Sequence, residues 1–129
     1  LIRYALLKFA NPHVFILIKD TGDCSACNMH VNNWYIYSLD MEDRDLQPTS
    51  ITFVLSKDIR LASSVDSMIN LYGLHKPHTY EELIKLNPKL EEVQYSTFLL
   101  SPRNQILLVG DPIETPKMWN LYRKALQKK

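Results

Sequence analysis

An apolar, partly β-branched run at residues 14–18 gives way to a Gly-containing loop, and the loop leads into two cysteines, Cys24 and Cys27, separated by Ser25 and Ala26. Residues 15–34 read FILIKDTGDCSACNMHVNNW. A continuous apolar run suits a strand covered on both faces, so it demands a layer above and a layer below. From Cys24 onward, Cys27, Val31, Trp34, Tyr35 and Leu39 keep roughly helical spacing, which predicts a helix opening at the pair. Asp23 stands where that helix would be capped. There are no other cysteines in the 129 residues. Two cysteines three apart close too small a loop to be the framework of a disulfide-stapled secreted fold.

The rest of the chain supplies the layers. Residues 1–9 are apolar with Arg3 and Lys8, and read equally as a short helix or an entering strand before Asn11-Pro12. The acidic group Asp40, Glu42, Asp43 and Asp45 marks a solvated helix end and lacks the spacing of an EF-hand loop. Residues 51–55 (ITFVL) predict a second buried strand. Lys57-Asp58 opens a helix whose face is Leu61, Ala62, Val65, Met68, Ile69 and Tyr72, with Gly73 at a left-handed C-terminal position. Thr79 and Glu82 fit a capping box for a short helix over 80–86. Residues 97–100 and 106–109 predict a hairpin, with Pro102 second in its turn. Thr115-Pro116 opens a last helix with Met118, Trp119, Tyr122, Ala125 and Leu126 on its apolar face. Trp34, Tyr35, Tyr37, Trp119 and Tyr122 are read as core aromatics. With 46% hydrophobic and 22% charged residues, residues 1–129 form one domain with a real core. A net charge of +1 gives no electrostatic reason for a nucleic-acid or anionic-membrane partner, and no apolar run approaches a membrane span.

A strand–helix–strand crossover makes the first two strands parallel, and the hairpin adds antiparallel ones. The expected fold class is α/β, a three-layer α/β/α sandwich around a mixed four-stranded sheet. With a C-x-x-C after its first strand, this arrangement resembles the thioredoxin fold. The likeness spans residues 14–126. In STFLLSPRNQILLVGDPIETPK (96–117) the chain is similar to redoxin-type, poorly characterised thioredoxin-like proteins of the bacterial envelope. That resemblance implies a thiol–disulfide oxidoreductase in the periplasm or cell envelope, with room for an anchor preceding Leu1. It implies protein thiols or disulfides as partners and no cofactor. The sequence departs from thioredoxin at four places: Ser25-Ala26 between the cysteines, Asp23 before them, Ile18 in place of a buried carboxylate, and Ser96 in place of the cis-proline before Thr97.

The chemistry expected of the pair is thiol–disulfide exchange. A thiolate at a helix start meets unpaired N–H groups and the positive end of the dipole. Lowering a thiol pKa from ~8.5 to ~7 raises the thiolate to about half at neutral pH. Cys24 is then the nucleophile and Cys27 the resolving thiol. Ser25, Ala26, Ser96 and Thr97 position substrate, and Asp23 raises the pKa of its neighbour. Two other readings stay open. One is a binding module whose pair is a structural disulfide. The other is a tetrahedral metal site joining the cysteines to His30, His75 and His78. The oxidoreductase reading assigns no metal.

Overall fold

The computed structural model describes residues 11–18, 30–56, 63–74, 79–92, 97–113 and 115–128. β1 (His13–Ile18) is buried at all six positions, as the unbroken apolar run requires. It lies inside a four-stranded sheet of order β2-β1-β3-β4, with β2 at Ser50–Leu55, β3 at Thr97–Leu100 and β4 at Ile106–Val109. β2 runs parallel to β1, with Ile16 opposite Phe53, while β3 runs antiparallel, with Phe15 opposite Phe98. β4 closes the hairpin on β3, with a shift in register between Leu99 and Leu100. The turn is the expected one: the Asn104 N–H donates to Ser101 O at 2.9 Å, and Asn104 takes the left-handed conformation at φ 63°.

Alternation along the strands divides the core into two layers. Val14, Ile16, Ile18, Ile51, Phe53 and Leu99 face one side, where α1 (Val31–Asp43), α2 (Ser63–Leu71) and α4 (Pro116–Ala125) cover them with Trp34, Ile69 and Tyr122. Phe15, Leu17, Val54, Phe98 and Leu100 face the other side, under Leu83 of α3 (Tyr80–Leu86) and Leu90 of the 3₁₀ turn Pro88–Glu92. The sheet is thus sandwiched between helices, as expected. Trp34, Trp119 and Tyr122 are buried and Tyr37 packs against the same core.

Local chemistry ends each helix. Gly73 (φ 71°) closes α2: its N–H donates to Asn70 O, and the Leu74 N–H donates to Ile69 O, the paired bonds of a Schellman motif. Asp45 (φ 54°) does the same for α1, with the Leu46 N–H on Met41 O, so one member of the acidic group shapes the chain as well as facing solvent. Thr79 and Thr115 occupy the expected N-cap positions, but neither side chain makes a capping hydrogen bond. Asp40 fastens α1 to α4: it accepts from Arg44 Nε at 2.9 Å, Trp119 Nε1 at 3.2 Å and an Arg123 terminal nitrogen at 3.1 Å. Burial pushes the Asp40 carboxyl up, but the two guanidinium groups outweigh it and hold the pKa below its usual value.

One expectation is corrected. A helix running unbroken from Cys24 is excluded, because His30 is left-handed (φ 50°, ψ 44°) and α1 begins at Val31.

Candidate functional site

The parallel strands β1 and β2 finish at the same end of the sheet. At this edge the Ser56 N–H donates to Ile18 O at 3.0 Å, which ties the carboxyl ends of the two parallel strands. β3 runs the other way, so it starts here: Thr97 opens it, paired with Ile16 and buried. The Gly110 N–H, just past β4, donates to Thr97 O at 2.9 Å. In open α/β sheets the crevice outside the carboxyl ends of the strands is the usual ligand site. In chain order, residues 19–29, with Cys24 and Cys27, stand between β1 and α1.

Of the residues singled out from the sequence, Thr97 is placed. Cys24, Cys27, Ser25, Ala26, Asp23 and Ser96 lie outside the described residues, as do His75 and His78. Ile18, at the position of the missing carboxylate, is the last residue of β1 and is buried. His30 forms the junction of the cysteine loop with α1. Its carbonyl accepts from the Trp34 N–H at 3.0 Å, and its side chain does not cap the helix. The unpaired N–H groups of α1 therefore begin at Val31, beyond the cysteine pair in the chain. Among the described residues no group of three His, Cys, Asp or Glu side chains could hold a metal ion.

The sequence reading missed several contacts here. The Ser56 hydroxyl at the end of β2 donates to Glu81 Oε1 in the first turn of α3 at 2.8 Å. The buried Tyr122 hydroxyl donates to Gly110 O at 2.9 Å, and burial together with the nearby Asp111 charge raises its pKa far above the ordinary phenol value. It stays a neutral donor, which pins the loop after β4 to α4. Gly110 has φ 137°, and a Cβ there would sit 2.6 Å from Met118 Cε. On α1, Tyr35 stacks against Tyr72 with ring centroids 4.1 Å apart. None of these pairings is visible in spacing, because each joins residues far apart in the chain.

No protein-family model matches the chain, and no curated protein matches its sequence. Solved structures do match. The thioredoxin domain of a thiol-disulfide oxidoreductase from Bacteroides vulgatus aligns with a TM-score of 0.53 at 14% identity, covering 91% of this chain and 80% of that one. StoA from Bacillus subtilis aligns with a TM-score of 0.49 at 16% identity, covering 87% of this chain and 84% of that one. The chain has a thioredoxin-like fold: a mixed four-stranded sheet between helices, with a C-x-x-C in the connection from the central parallel strand to the helix after it.

Proposed function

We propose that the chain is a thiol–disulfide oxidoreductase acting through Cys24 and Cys27 on protein thiols or disulfides outside the cytoplasm, in the periplasm or cell envelope. The observation that carries the reading is the place of the pair in the chain order, between β1 and α1 of a thioredoxin-like sheet. The similarity to the thioredoxin domain of a thiol-disulfide oxidoreductase supports it. No helix among the described residues is long and apolar enough to cross a membrane.

In the reducing direction the Cys24 thiolate attacks one sulfur of a substrate disulfide. A Cys24–substrate disulfide forms, the substrate S–S bond breaks, and the other substrate sulfur leaves as thiolate and takes a proton. Cys27 loses its proton and attacks the Cys24 sulfur. The mixed disulfide breaks and the second substrate thiolate leaves. The substrate gains two electrons, and the chain is left with a Cys24–Cys27 disulfide. Oxidation of a substrate dithiol is the same sequence reversed. No cofactor enters. Thr97, with Ser96 before it, opens the strand against which substrate backbone would lie, and Ser25 and Ala26 line the approach to Cys24.

Asp23 sets the direction. An adjacent carboxylate raises a thiol pKa. Cys24 is therefore a less acidic thiol than that of a strong oxidant, and the pair favours the reducing or isomerising side. A Cys24 pKa measured below about 5 contradicts this. Trapping tests the function: Cys27→Ser accumulates a mixed disulfide between Cys24 and a substrate protein, and Cys24→Ser does not. Failure of both variants to trap any partner sinks the oxidoreductase role.

A further inference from the structure

The two outer strands of the sheet are finished differently. β2 is an edge strand among the described residues, yet its positions 51–54 are buried. β4 is the other edge, and no described strand lies beyond it. Its residues are ILLV, with Ile106 40% and Leu107 45% exposed and Leu108 and Val109 half-buried.

The backbone of β4 has one open side. Two bonds to the β3 strand frame it: the Ser101 N–H donates to Gln105 O at 2.8 Å, and the Gly110 N–H donates to Thr97 O at 2.9 Å. In an antiparallel ladder, successive residues turn their N–H and C=O alternately toward the partner and away from it. Ile106, opposite Leu100, and Val109, opposite Phe98, come next inside those bonds, so both aim theirs at the open edge. Edge strands are commonly guarded by charge or proline. Residues 104–110 (NQILLVG) contain neither.

The charges that flank the strand say what fits against it. Arg103 stands before it and Asp111 after it, opposite in sign at opposite ends. A second copy running antiparallel, with Ile106 of each opposite Val109 of the other, brings Arg103 of each copy toward Asp111 of the other. A parallel pairing would bring like charges together. The complementarity lies within one segment, as a two-fold pairing of identical chains requires. Helix α4 widens the seam on one face of the sheet. Met118 lies against Gly110, and Leu121, one turn on along the same side of α4, is 45% exposed. Trp119 and Arg123 face the other way, toward Asp40 of α1.

We infer that β4 is a self-association edge, through which two copies of the chain pair antiparallel at residues 106–109 and join their four-stranded sheets into one. A strand of four residues, even with Leu121 beside it, buries less than the roughly 800 Å² per partner of a stable interface, so the dimer is weak and forms as concentration rises. The inference stands apart from the oxidoreductase reading, because the cysteine pair takes no part in it.

Sedimentation velocity of the full chain, in reductant so that no intermolecular disulfide counts, tests it from about 10 µM to about 1 mM, the range of weak interfaces. The expected result is a reversible monomer–dimer equilibrium. Leu107→Lys puts like charges across the seam and should weaken the dimer at least about tenfold. Arg103→Glu puts acidic groups at both ends and should weaken it at least about threefold. Both sites are exposed, and far-UV circular dichroism reports the fold of each variant. Amide exchange of the wild type reads the backbone directly: the Ile106 and Val109 N–H groups should exchange more slowly as concentration rises. A chain that stays monomeric throughout overturns the inference, including one whose edge pairs only with an added extended peptide. So does a dimer that Leu107→Lys leaves intact, or one that forms with no change in exchange at Ile106 and Val109.

Discussion

His13 opens the central strand and is fully buried. Its ring lies 4.9 Å from that of Phe15, and its Nδ1 is 3.4 Å from Asn11 O. Burial pushes the imidazole pKa down, and the contacts with Asn11 and with the Asn104 side chain pull it only partly back. The folded chain therefore holds His13 neutral at a pH where the unfolded chain, titrating near ~6.5, has begun to take up a proton. Stability from this residue is complete above that value and is lost as pH falls through it, because the unfolded state then binds more protons. The urea midpoint should drop between about pH 7.5 and about pH 5.5 in the wild type and drop less in His13→Leu. An equal drop in both would show that His13 is not the group responsible. The sequence offered no hint of this role: His13 flanks the run read as a strand at residues 14–18, and its pairing with Ser50 on one side and Leu100 on the other shows that it lies inside the sheet.

At the scale of elements, two glycines end two segments under different constraints. Gly73 needs only its left-handed φ, since a Cβ there would meet nothing within 4 Å. Gly110 needs a φ of 137° and also faces the Met118 thioether. Gly73→Ala should cost about 1 kcal/mol, the usual penalty for a side chain in the left-handed region. Gly110→Ala should cost more, up to about 3 kcal/mol, because its φ is hardly open to any L side chain. Chemical denaturation of the two variants checks the order, and a reversed order would mean that the loop after β4 readily adopts another conformation. The sequence made Gly73 legible because it follows a clean helical face. Gly110 was not, since its constraint comes from α4. The start of α1 misled for a related reason. Helical spacing continues through Cys27, Val31 and Trp34 whether or not the backbone breaks, and a left-handed histidine leaves no mark in a hydrophobic pattern. The hairpin and its turn were readable, because Pro102 carries its turn chemistry locally, whereas the register shift between Leu99 and Leu100 was not.

At the scale of the molecule, the layers were readable because strands buried on both faces leave few alternatives, and β1, β2 and β3 all carry such runs. The helix order then required a parallel pair flanked by a hairpin, and the sheet order β2-β1-β3-β4 is that arrangement. The site was legible only as a motif in a connection. The Tyr35–Tyr72 stack was not, because it depends on how α1 and α2 pack. Taken whole, the chain is a thioredoxin-like scaffold with Cys24 and Cys27 in the connection between β1 and α1. The central claim is that this dithiol exchanges reversibly with substrate thiols. Equilibration across a glutathione redox series, with free thiols counted by alkylation and mass spectrometry, tests it most directly. The expected result is a single two-electron transition at a potential above about −300 mV, absent in Cys24→Ser. A Cys24–Cys27 disulfide that resists reduction throughout the series, or two thiols that never oxidise, would contradict it.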